Sequence, residues 1–144
     1  MRFDQSEAMA ASVLLPAAAY NADNTPAEIA LGKAGSATIL IEVGVGGITF
    51  SGTNKVEFKL THADTAGGSY TAVAQTDVVG VTVGADGIVR ELIAAHATPT
   101  VTKLGYVGRK GFIKLLADFS GTHGTATPMS AVVVSGNLDR VAPA

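Results

Sequence analysis

The stretch from Lys103 to Gly124 reads KLGYVGRKGFIKLLADFSGTHG: two apolar-rich runs on either side of a Gly-Arg-Lys-Gly turn. Glycine at both ends of the turn permits a sharp reversal, and apolar-polar alternation in the flanks is the period of a strand. The reading predicts strands over Thr100 to Val107 and Phe112 to Phe119, joined as a β-hairpin. Arg109-Lys110 and Ser120 to Gly124 are then expected to be exposed at its ends.

The same grammar runs outward from this block. Ala37 to Val43 is rich in β-branched residues and bounded by Gly35 and Gly44. Lys55 to Thr61 alternates strictly, with Val56, Phe58 and Leu60 on one side and Lys55, Glu57, Lys59 and Thr61 on the other, as in an antiparallel strand with one solvated face. Asp64 to Gly68 is a turn, with strands expected at Tyr70 to Val73 and Asp77 to Val83. Gly84-Ala-Asp-Gly87 is read as a hairpin turn, because Asp and Gly accept positive φ. Ile88 to Ala95 is open between helix and strand, the turn before it favouring a strand at least to Leu92. Pro128 to Gly136 is a last strand, buried by its Val132-Val133-Val134 run. Phe58, Phe112 and Phe119 are expected in the core, with Tyr106 at its edge and its hydroxyl in water.

Short strands at about ten-residue spacing with Gly-rich turns specify an all-β fold: an antiparallel β-sandwich, jelly-roll-like. Residues 1–20 read as an arm. Ser6 can cap a short helix over Glu7 to Val13, or Ser12 to Ala18 can be extended. The expected organisation is arm 1–20, sandwich 21–137 and flexible tail 138–144.

The chain has 144 residues, 47% hydrophobic and 15% charged, with net charge −2 and no cysteine. An ordinary domain carries about 25% charged residues, so an extended protein interface is expected. No basic cluster of the kind that binds nucleic acid is present. No apolar run reaches the roughly 20 residues needed to span a bilayer. The apolar run at 8–19 lacks the positive n-region of a signal peptide, since Asp4 and Glu7 outweigh Arg2.

Several patterns imitate chemistry. Gly44-Val-Gly-Gly47 is followed by Ile48-Thr-Phe50, not by the helix start that a pyrophosphate site requires, so it reads as a loop. Gly32-Lys-Ala-Gly-Ser36 has the wrong spacing for a phosphate loop and reads as a turn. His62 and Asp64 are one close pair at a strand end, short of a metal site. His123 lies in a Ser-Gly-Thr-His-Gly loop with only Asp118 nearby, which does not make a nucleophile, base and orienting group. The other carboxylates, Asp77, Asp86, Glu91 and Asp139 among them, are scattered. No catalytic residue, cofactor site or metal site is assigned, and the expectation is a non-enzyme.

Three stretches carry a resemblance. The first is Tyr20-Asn21, Glu28 to Leu31 and Ser36 to Gly44. The second is Val56 to Asp64 with Tyr70 to Val73 and Asp77-Val78. The third is Gly105 to Gly108 with Phe112 to Leu115 and Ala117 to Gly124. On these the chain resembles a group of small tailed-bacteriophage virion proteins, the minor structural or capsid decoration proteins. The resemblance implies a β-sandwich that binds the outer capsid surface, often as a homotrimer, with the major capsid protein as partner and the virion as location after synthesis in the host bacterial cytoplasm. It implies capsid stabilisation by cementing: apolar burial between capsomers favours the assembled, expanded head. Met9, Val13, Leu14 and Leu15 of the arm, and Arg109, Lys110, Thr122 and His123 at the block's ends, are then the expected protein interface. A tail or head-tail connector protein, a free-standing ligand-binding module and an enzyme are the other classes. The first would differ in ring symmetry, the second would need an aromatic platform, and the third would need His62, His123 and a carboxylate to converge.

Overall fold

A computed structural model describes residues 6–136 apart from Lys33 and Gly35, with Glu7 described by its backbone alone. The expected tail at 138–144, Asp139, the first five residues of the arm and two positions of the Gly32–Ser36 turn lie outside the described residues.

The chain forms ten strands: β1 (Met9–Tyr20), β2 (Ile29–Ala30), β3 (Ser36–Val43), β4 (Lys55–Ala63), β5 (Thr71–Ala72), β6 (Val78–Val79), β7 (Ile88–Leu92), β8 (Thr100–Tyr106), β9 (Phe112–Ser120) and β10 (Thr127–Gly136). They make two sheets, ordered β1-β10-β3-β8-β6 (sheet A) and β2-β9-β4-β5 (sheet B), with β7 also pairing β4. Every pairing is antiparallel. With β5 and β6 set aside as two-residue additions, the remaining eight strands interleave as first-eighth-third-sixth and second-seventh-fourth-fifth. That is the jelly roll, two Greek keys folded into a double sheet. The expected β-sandwich is therefore the fold.

The core lies between the sheets and follows from the alternation. Ala37, Ile39, Ile41 and Val43 of β3 face Val56, Phe58 and Leu60 of β4, with Leu104, Ile113, Leu115, Ala131 and Val133 closing it. Phe58 is fully buried as expected, but Phe112 and Phe119 are only half-buried. Tyr106 is buried, and its hydroxyl is not in water: it lies 2.9 Å from His62 Nδ1 and accepts the Lys110 N–H at 3.3 Å.

The block that opens the sequence reading folds differently from its prediction. β8 and β9 form as strands, yet they are not a hairpin. β8 pairs with β3 and β6 in sheet A, and β9 pairs with β4 and β2 in sheet B. The Gly108–Gly111 turn carries the chain from one sheet to the other. The Gly84–Gly87 turn does the same between β6 and β7, although Asp86 (φ 56°) and Gly87 (φ 78°) do take the positive φ expected of them.

Of the two readings for the arm, the extended one forms. It is not free: β1 is the edge strand of sheet A, paired with β10 from Met9↔Gly136 to Tyr20↔Thr127. Two register shifts interrupt the ladder, between Val13 and Leu15 and between Leu15 and Ala18. A bulge places two successive residues against one partner, so Leu14 and Leu15 both enter the core, each 0% exposed. Pro16 sits at this irregular edge, where its missing N–H costs no ladder bond. Ser6–Ala8 is a single 3-10 turn, not the start of a longer helix.

Candidate docking surface

The two outer faces of the sandwich differ in chemistry. Sheet B shows water a ladder of paired charge. Glu57 on β4 takes Lys55, and Lys59 lies 2.6 Å from Asp118 and 3.7 Å from Glu57. The hydrogen bond to Glu57 raises the pKa of Lys55, and the bond to Asp118 raises that of Lys59. Beside this ladder, Tyr70 Oη and the Gly67 N–H both donate to Glu28 Oε2, and Lys114 Nζ stands 4.3 Å over the Tyr70 ring. Desolvation and the Glu28 carboxylate push the Tyr70 pKa up to about 12. The bonds from Tyr70 and Gly67 hold the Glu28 carboxyl below its usual range.

Sheet A turns a nearly uncharged face outward. Register places Val13, Val132, Leu40 and Lys103 in one row across four strands, and Ala11, Val134, Thr38 and Gly105 in the next. Val79 on β6 extends the second row, and Val101 lies beside Glu42. Val101 (64% exposed), Val79 (53%), Val13 (52%) and Met9 (44%) project most. Where β1 bulges from β10, Ala17, Ala18, Pro128 and Met129 line a depression of about 290 Å³. With a strand spacing of about 4.8 Å and a rise of about 3.3 Å per residue, four strands by eight residues give roughly 500 Å² in projection. That projection counts the Thr38, Glu42 and Lys103 positions together with the apolar ones, against about 300–600 Å² for the largest apolar patches of monomeric proteins.

The expected interface residues divide. Met9 and Val13 lie on this face. Leu14 and Leu15 do not, because the bulges turn them into the protein's own core. Arg109 is exposed at the sheet-to-sheet turn, and Lys110 Nζ pairs with Asp64 Oδ2 at 3.1 Å. Thr122 is exposed while its N–H donates to Asn54 Oδ1 at 2.9 Å. His123, expected at the surface, is 8% exposed. Its Nε2 lies 2.9 Å from the Ser120 carbonyl, and its ring stands edge-on to Phe119 at 4.8 Å, so packing turns the ring inward. Val132, Val134, Leu40 and Val101 were not anticipated as interface. For Leu40, Val132 and Val134 the signal is the absence of alternation: ILI at 39–41 and VVV at 132–134 are apolar on both faces, unlike Lys55 to Thr61, whereas Val101 in Thr-Val-Thr-Lys has none.

His62 is buried at the far end of β4, 2.9 Å from the Tyr106 hydroxyl. Burial lowers its pKa below the ordinary 6.5. The folded state therefore binds this proton more weakly than the unfolded chain. Its contribution is complete above 6.5 and is lost as pH falls from there through the lowered value. Thermal melts at stepped pH should show a fall in Tm across that window, and the His62→Gln protein should lack that part of it. Among the described residues no three His, Asp or Glu side chains converge to hold a metal ion.

No known protein-family model matches the chain. No curated protein matches it either.

Proposed function

We propose that this chain is a non-enzymatic structural protein of a bacteriophage virion, a decoration protein whose outer sheet A face lies against the major capsid protein. The observation that carries the reading is the one-sided chemistry of the sandwich. One outer face neutralises its charges internally and suits water. The other offers a flat apolar sheet with Glu42 and Lys103 as its formal charges. The resemblance of residues 20–136 to capsid decoration proteins supplies the partner class. Removing such a face from water on an assembled shell stabilises the assembled state by mass action, because the unassembled subunits offer no matching surface. Homotrimers at threefold positions are the arrangement this reading expects.

Electron cryomicroscopy of virions tests it. Density for the sandwich over the capsid faces, sheet A inward, is the expected result, and a ring at the portal vertex or tail overturns it. A binding measurement reads the face directly. The Val132→Glu protein should keep its Tm within a few degrees, since the side chain faces outward, and should bind expanded capsids at least about a hundredfold more weakly, as expected when charge enters a desolvated centre.

A further inference from the structure

Sheet A also has an unmet hydrogen-bonding edge, in the backbone of β8 where Val101 and Lys103 lie, a feature that does not depend on the virion reading. One edge of β8 is paired with β3 along its whole length, Thr100 to Tyr106. The other edge is paired only with β6, opposite Gly105 and Tyr106, and Gly80 lies close to the Lys103 carbonyl without bonding it. The Val107 N–H donates to the Asp77 carbonyl at 2.8 Å, which fixes the parity: odd-numbered residues of β8 turn their backbone groups to this edge. The N–H and C=O of Val101 and Lys103 therefore point outward, and nothing among the described residues pairs with them.

The cause is local. β6 ends at Gly80, whose φ of +93° turns the chain away. At Val81 and Val83 the Gln75 side chain then takes the bonds that a longer β6 would have given β8. Its Nε2 donates to the carbonyls of Val78 (3.2 Å) and Val81 (3.0 Å), and its Oε1 accepts the Val83 N–H at 2.8 Å. The corresponding edge of β9 is not left open. β2 covers Phe112 and Ile113, Asn24 bonds the Leu115 carbonyl (3.2 Å) and the Ala117 N–H (2.8 Å), and Asp23 takes the Phe119 N–H (2.7 Å). Bare edges are templates for strand addition, and proteins ordinarily cover them.

Beside the open edge, the two sheets part into a groove of about 770 Å³, lined by Val81, Ile88, Val89, Ile93 and Thr102. Ligand pockets span about 300–1,000 Å³. Arg90 enters this groove from sheet B. Its register partner is Phe58, an inward position. The guanidinium has one long contact, Nη2 to Thr100 Oγ1 at 3.4 Å, while Nε is buried without a partner. It pairs with no carboxylate among the described residues. Glu57 and Glu91, also on the groove's lining, sit opposite each other on the outer face of sheet B, Glu57 held by Lys55 and Lys59.

We propose that an extended segment of a partner protein adds to sheet A along the open edge of β8, in line with β6, and sets an acidic side chain against Arg90. Main-chain bonds to Val101 and Lys103 hold the strand, its alternate apolar side chains fill the groove, and the carboxylate meets the unpaired guanidinium.

The probe is a short synthetic peptide of alternating threonine and valine with a central glutamate, followed by fluorescence anisotropy. Saturable binding to the wild-type protein is expected. Val101→Pro deletes one edge-facing N–H at a position where an edge strand accepts proline, and should weaken binding by about tenfold or more at an unchanged melting temperature. Replacing the peptide's glutamate by lysine, or Arg90 by Gln, should weaken it to a similar degree. Amide exchange on the wild-type complex gives a readout that needs no variant: the Lys103 amide should slow, while the Leu104 amide, already turned to β3, should not. Absence of saturable binding up to about 1 mM peptide, well above the range of specific strand addition, overturns the proposal. So does equal binding by the proline protein, indifference to both charge changes, or an unslowed Lys103 amide.

Discussion

Phe58→Ala should cost about 3–5 kcal/mol, the range for deleting a fully buried aromatic ring. Phe58 is 0% exposed, and it sits mid-strand between Ala117 of β9 and Arg90 of β7. Small Ala117 cannot fill the space, and the neighbouring Val56 and Leu60 are fixed by ladder bonds on both sides, so the cavity stays open. Urea unfolding should show a lower midpoint with an unchanged slope, the signature of lost stability without a change in the surface exposed. Leu116→Ala is the control on the same sheet. Leu116 pairs with Lys59 on the outer face and is half-buried, so its loss should cost less than about 1 kcal/mol. Equal costs for the two would contradict the placement of the core between the sheets.

Gly87→Ala should be nearly as damaging, for a different reason. Gly87 has φ +78°, and a Cβ there would stand 2.5 Å from the Leu60 carbonyl and 3.2 Å from the Val73 nitrogen. Those two atoms bond to each other at 3.2 Å. The methyl would wedge into that bond while the backbone carries left-handed strain. The two effects together are worth about 3 kcal/mol. Gly67→Ala separates them. Gly67 has φ +64° but open space around it, so only the backbone part remains, about 1 kcal/mol. Chemical denaturation of the pair reads the steric share as the difference, and a Gly87 protein no less stable than the Gly67 one would refute the close approach.

Strand positions were legible wherever one face meets water. Lys55 to Thr61 carries its burial in its alternation, and the structure follows it except at Glu57, which is only 8% exposed between Lys55 and Lys59. Connectivity was not legible at Gly108–Gly111. A glycine-bounded turn looks the same whether the chain returns to its own sheet or crosses to the other. What decides is the partner, β3 for one strand and β4 for the other, both far away in sequence. The bulges of β1 were hidden for a related reason: Leu14-Leu15 is an unremarkable pair until β10 lies beside it. The docking face was half-legible. The unbroken apolar runs at 39–41 and 132–134 announce strands covered on both sides, whereas among the described residues only the inner side of sheet A is covered. The open edge of β8 left no local mark, because it depends on where the Gln75 amide reaches.

The pairing of β1 with β10 has a consequence for how the protein is made. β1 is made well before its partner β10 and waits for it, and until then Leu14 and Leu15 have no interior to enter. Such long-range closure is slow, of order milliseconds to seconds for all-β domains. β3 cannot find β8, nor β4 find β9, until the chain has been made past Tyr106 and Ser120 respectively, out of 144 residues. The nascent chain therefore carries its most apolar segments bare for longest. With 15% charged residues and a net charge of −2, little repulsion keeps such an intermediate from pairing with a neighbour on the same message.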